Sequence, residues 1–192
     1  MNPRLYHFAA GATGPWRILS TKAVRGESLP SSTPAANRLR LLPGEVKGDV
    51  MGEAAWTLRG VRSNERYATA AEKQKLTAVQ ADLGRAEADF AVLIPIRKSA
   101  AWWALSQDER RAIFEEQSRH TAIGLEYLPA IARRLFHCRD LATEEPFDFL
   151  TWFEFAHDHQ SRFDQLLARL RATREWSYVE REVEVRLVRA EG

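Results

Sequence analysis

The chain has 192 residues, 28 Lys and Arg against 26 Asp and Glu for a formal net charge of +2, and one cysteine, Cys138. That length suits one large domain or two small ones. Near-neutral charge gives no reason to expect nucleic-acid binding, no apolar run reaches the length of a membrane span, and a single thiol excludes an internal disulfide framework. Residues 1–16, MNPRLYHFAAGATGPW, lack the apolar core of a signal peptide, so a cytoplasmic protein is expected.

Leu5 to Ala10 and Trp16 to Val24 read as strands, the second strengthened by β-branched Thr21 and Val24. Residues 26–37, GESLPSSTPAAN, form a polar loop with two prolines. Leu39 to Leu42 is a short edge strand, Ala54 to Arg62 another strand, and SNERY a turn. Thr69 to Leu83 reads as a helix with Leu76, Val79 and Leu83 on one face and Gly84 as its stop.

Ala88 to Ile96 is nearly continuously apolar, as a strand buried on both faces must be. Ser106 and Glu109 make a capping box, and the helix it opens runs to Tyr127, where Pro129 ends it. On that helix Ile113, Gln117 and His120 share one stripe, so His120 should point inward. Ile131 to Arg139 and the aromatic run Asp148 to Ala156 form a hairpin, residues 158–173 an amphipathic helix, and Ser177 to Val188 a final strand of period two. In that strand Glu180, Glu182, Glu184 and Arg186 alternate with Val and Leu, which predicts a solvated outer face.

From residue 54 the order is β-α-β-α-β-β-α-β, an α+β arrangement. Residues 88–192 fit one ferredoxin-like unit, and residues 1–87 supply an abbreviated second one within the same structural domain.

No glycine-rich phosphate loop, nucleophile elbow or HExxH occurs in the sequence. His157 and His159 flank Asp158 at a strand-to-helix junction, where a solvated helix start is a better reading than a metal site. His137 and Cys138 are adjacent on a strand, so they face opposite ways and read as packing residues. A lone histidine on an apolar stripe is more often a core residue than a ligand. His120 differs in its company: Lys98 at the end of a buried strand, Trp102 and Trp103 after it, and Arg133 in the next strand. An imidazole, aromatic walls and cations for carboxylates are what a haem pocket requires.

The strings IPIRKSAAWWALSQDERRAIFEEQSRH, YLPAIARRLFHCRDL and PFDFLTWFEF resemble the chlorite dismutases, specifically the short-subunit type, over roughly residue 54 to the C-terminus. The resemblance implies a ferredoxin-like α+β barrel, haem b bound in the C-terminal half, and a homodimer. It implies conversion of chlorite to chloride and dioxygen with O–O bond formation at ferric haem. It assigns His120 as the iron ligand, with Glu175 accepting the second N–H of His120 and Lys98 neutralising that glutamate. Arg133 becomes the cation on the substrate side and Gln80 its neighbouring amide, with Arg134 pointing the other way. Leu128 would line the substrate side, Trp102 and Trp103 would surround the haem, and Asn64 and Tyr67 would lie near the propionates. A coproheme decarboxylase-like enzyme and a non-catalytic haem-binding protein are the alternatives; Arg133 and the short chain argue against the first.

Overall fold

The computed structural model describes residues 4–30, 36–46, 54–62, 66–141 and 144–190. Asn64 lies outside them. The strands are β1 (Leu5–Gly11), β2 (Trp16–Arg25), β3 (Arg38–Pro43), β4 (Trp56–Arg62), β5 (Phe90–Lys98), β6 (Ala132–His137), β7 (Phe149–Phe155) and β8 (Val179–Arg189). They close into a barrel in the order β1-β3-β2-β8-β5-β7-β6-β4, each pairing antiparallel. Within residues 1–87 the order is β4-β1-β3-β2, and within residues 88–192 it is β8-β5-β7-β6, the same relative order. The two halves meet at β2–β8 and at β4–β6. Closure moves β3, expected at an edge, between β1 and β2.

The barrel interior holds one core, with Phe8, Leu39, Leu93, Phe136, Trp152 and Val185 among its buried members. Gly60 on β4 makes room there: a Cβ at that position would stand 2.8 Å from the Cβ of Phe136, whose ring packs between Tyr6 and Phe8. A second core lies outside the barrel wall. The alternate residues Val92, Ile94, Ile96, Phe153 and Phe155 meet Phe163, Leu166, Leu167 and Leu170 of a helix laid across the sheet. Both faces of β5 are therefore buried, which accounts for its unbroken apolar sequence.

The helices are α1 (Ala70–Val79), α2 (Ala100–Ala104), α3 (Gln107–Arg111), α4 (His120–Leu125) and α5 (Gln160–Arg171), with a π-helical segment over Ala112–Gln117 and single 3-10 turns at His157–His159 and Glu175–Tyr178. Three expectations need correction. First, α1 begins at a Thr69–Glu72 capping box but ends at Val79, because Gln80 turns extended; Val79 is 44% exposed rather than buried, and Leu83 packs instead on the barrel core. Second, the long helix from Ser106 to Tyr127 is broken: α3 widens into the π segment, and Arg119 takes a left-handed conformation, φ 53°, before α4 starts. Gln117 is exposed, so the stripe through Ile113 and His120 does not exist as drawn. Third, the outer face of β8 is only partly solvated: Glu180 is exposed as expected, but its neighbours on that face are not. Glu182 and Glu184 are 1% and 7% exposed, because Arg171 of α5 reaches across to both carboxylates and the Trp176 indole donates to Glu182.

Among the described residues no helix is long and apolar enough to cross a membrane.

Candidate functional site

Between the outer face of β5, β6 and β7 and the helices packed on it lies a pocket that is partly open to solvent. Its walls are mostly apolar, from Ile94 and Ile96 on the sheet side to Leu166 and Leu167 on α5, with Leu128 beside them. Into this apolar space project His120, Lys98, Glu175, Arg133, Arg66 and Tyr67.

His120 arrives by way of the broken helix. The π segment and the left-handed Arg119 turn the chain so that α4 starts at His120, whose side chain is 21% exposed. Its ring lies between two aromatic faces: Phe114 stacks at 4.3 Å and 22°, and Trp176 at 6.5 Å and 15° on ring centroids. Nδ1 sits 3.1 Å from Glu175 Oε2. With Nδ1 so occupied, Nε2 is the nitrogen open to a metal, and the carboxylate makes it a more basic ligand.

Glu175 comes from the 3-10 turn that joins α5 to β8, fifty-five residues further along the chain, as numbered by its separation from His120. The Glu175 side chain is 5% exposed. Oε1 forms an ion pair with the ammonium of Lys98, itself buried at the end of β5. The Glu175 N–H donates to Ser118 Oγ at 2.9 Å, tying this turn to the kink before His120. Burial by itself would raise the carboxyl pKa, but the Lys98 charge and the His120 and Lys98 hydrogen bonds outweigh it and hold the group down to about 2. Lys98 is placed in turn by Asp148, which accepts the Lys98 N–H at 2.7 Å. The Lys98 ammonium also lies 4.8 Å from the centre of the Trp102 ring.

The adjacent tryptophans separate. Trp102 is 1% exposed and lines the pocket, in edge contact with Tyr67. Trp103 does not line it: its indole donates to Asp148 and its ring carries Arg139 at 4.1 Å and Arg110 at 5.3 Å. Arg133 and Leu135 face the pocket from β6, while Arg134 between them turns to the other side, where burial and the Arg62 charge push its pKa down. His137 lines the pocket, whereas Cys138 enters the barrel core. Gln80 does not line the pocket; its amide donates to the backbone carbonyl of Arg133.

Phe114, Trp176 and Arg66 were missed in the sequence. Trp176 follows Glu175 directly and Phe114 precedes His120 by less than two turns, but only the folded chain stacks them on the imidazole. His157 is exposed as expected, and among the described residues no group of His, Cys, Asp and Glu is arranged to hold a metal ion by itself. The residues lining the pocket would instead suit a haem, with His120 to hold its iron. The pocket offers one anchored His120, a broad apolar floor, and two buried polar atoms without protein partners in its wall, Trp102 Nε1 and the Tyr67 hydroxyl.

Residues 43–190 match the family model described as chlorite dismutase. A dimeric chlorite dismutase from Nitrobacter winogradskyi is 56% identical, over 96% of this chain and 99% of that one, with a TM-score of 0.86. A chlorite dismutase from Candidatus Nitrospira defluvii, solved in complex with imidazole, is 27% identical over 70% of this chain and 55% of its own, with a TM-score of 0.56. A segment of 65 residues is 37% identical to the chlorite dismutase of Ideonella dechloratans; it makes up 34% of this chain and spans only 21% of that protein's length.

Proposed function

The chain belongs to the chlorite dismutase family, and on that footing we propose that it is a haem b-dependent chlorite O2-lyase, converting chlorite to chloride and dioxygen. The observation that carries this reading is the chain of contacts Lys98–Glu175–His120 at the wall of an apolar pocket that Arg133 also lines. When bound, haem supplies the ferric iron at which the two oxygens of chlorite are joined.

The protein's own residues do the rest. His120 would hold the iron through Nε2, its ring stacked on Phe114 and Trp176. Glu175 fixes the tautomer with the proton on Nδ1, and Lys98 keeps Glu175 ionised in a site that would otherwise favour its neutral form. Arg133 supplies a positive charge that draws a small anion into an apolar pocket and holds it there. Gln80, bonded to the Arg133 carbonyl, steadies the strand that presents that guanidinium. Ile94, Ile96, Leu166 and Leu167 limit water around the reacting atoms. Tyr67 and Arg66, which line the pocket, would serve as partners for the haem carboxylates.

The two halves, 1–87 and 88–192, read as ferredoxin-like units of one continuous domain, a reading supported by their shared strand order. The dimeric Nitrobacter relative supports a homodimer.

Haem titration followed by chlorite addition at an oxygen electrode tests the activity. The expected result is a Soret band and immediate release of dioxygen, one molecule per chlorite. Haem uptake without oxygen release would make the chain a haem carrier, and peroxide-driven conversion of coproheme to haem b would make it a decarboxylase.

A further inference from the structure

The kink that delivers His120 leaves a problem that the sequence around it does not solve in the ordinary way. A helix start exposes backbone N–H groups that need acceptors, and the usual solution is a Ser, Thr, Asp or Asn at the N-cap. Here the N-cap is Arg119, in a left-handed conformation and with no side-chain capping bond. The left-handed region is costly for a residue with a side chain. Something outside the local turn must hold it.

Glu115 does so. Its carboxylate folds forward from the π segment and accepts two N–H groups at the start of α4, Thr121 at 2.7 Å on Oε2 and Ala122 at 3.3 Å on Oε1. Its backbone carbonyl accepts the Arg119 N–H at 2.8 Å. One residue therefore clamps the kink on both sides, by main chain before it and by side chain after it. The negative charge also complements the positive end of the short helix. Ser118, inside the same kink, bonds to Glu175, so the clamp fixes His120 and its carboxylate partner together.

We infer that Glu115 is a positioning residue for His120, holding the left-handed turn that aims the imidazole at both Glu175 and the pocket. The inference rests on the haem-binding reading only for its consequence in the loaded protein; the clamp itself is a property of the chain alone.

The test compares Glu115→Ala and Glu115→Gln with the wild-type chain. In the haem-free protein, amide hydrogen exchange at Thr121 and Ala122 and the NMR shift of the His120 Nδ1 proton are read directly. In the haem-loaded protein, affinity is read by titration. Glu115→Ala is expected to speed exchange at those two amides, to move the His120 proton off its Glu175-bonded position, and to weaken haem affinity by about tenfold, in the range of outer partners of metal ligands. Glu115→Gln keeps one acceptor oxygen of two and should fall between. Wild-type exchange and an unmoved His120 proton in Glu115→Ala overturn the inference. So does a glutamine variant no better than the alanine one, or faster exchange spread evenly over the barrel strands, since either marks general stability rather than positioning. A wild-type chain that takes up no haem would defeat the functional reading, while the exchange and NMR measurements would still decide the role of Glu115.

Discussion

Replacing Glu175 with alanine removes the carboxylate that bonds both Lys98 and His120. The Glu175 carboxyl lies at about 2 against an ordinary 4.5, a difference that corresponds to about 3 kcal/mol favouring the folded state. Breaking a buried ion pair by removing one partner costs roughly 3–5 kcal/mol, because the other charge stays buried and unpaired. Here that charge is Lys98, 5% exposed, left with the Glu175 carbonyl at 3.2 Å and the Trp102 face. The haem-free variant should therefore be about 3 kcal/mol less stable at pH 7, as read by urea unfolding with tryptophan fluorescence. The pH dependence has a definite sign. A carboxyl whose pKa is depressed on folding contributes stability that is fully present above 4.5 and is lost as pH falls toward 2, so the gap between wild type and variant should close over that window. Adding Lys98→Met to Glu175→Ala should restore part of the loss. A variant within about 0.5 kcal/mol of wild type at pH 7, the ordinary range for a surface change, or a gap that stays constant down to pH 2, would refute the reasoning.

Three other variants probe the site and the assembly. His120→Ala should fold and lose haem affinity by more than about 100-fold, beyond what second-sphere changes cause; a retained Soret band with a wild-type axial signature would move the ligand elsewhere, and His137 in the same pocket would be examined first. Arg133→Ala should keep its haem and lose at least about tenfold in kcat/KM for chlorite, equivalent to one charged contact to the anion; unchanged turnover and unchanged oxygen yield would remove Arg133 from the mechanism. Trp103 faces away from the pocket while Trp102 lines it, and tryptophan favours interface centres. Trp103→Glu should give haem-binding monomers by light scattering, whereas Trp102→Glu should damage the pocket and leave the mass unchanged; dimers from Trp103→Glu would place the two-fold contact on another surface.

What the sequence determined by itself was local. The Ser106–Glu109 capping box is present as expected, both bonds formed within four residues. The unbroken apolar run of β5 signalled burial on both faces, and the alternation of His137 with Cys138, like that of Arg133 with Arg134, sorted neighbouring side chains to opposite sides of a strand. These signals are legible because caps and strand periodicity depend on a few adjacent residues. The long family strings contain His120 and Lys98, and the resemblance pointed to Glu175 further along, before any contact among the three was visible.

The tertiary structure decided what depends on residues far apart in the chain. Closure of the barrel turned β3 from an edge strand into an interior one. The charged face of β8 reads as solvated until Arg171, on a different element, covers Glu182 and Glu184. The helix through Ile113 and Gln117 looked continuous because no proline or glycine marks a break. It breaks at Arg119 because the bonds that compensate a left-handed residue come from Glu115, while Ser118 anchors the same turn to Glu175. Phe114 and Trp176 were invisible as partners of His120 for the same reason: stacking requires two segments brought together by the fold, and sequence spacing carries no record of a contact that only packing creates.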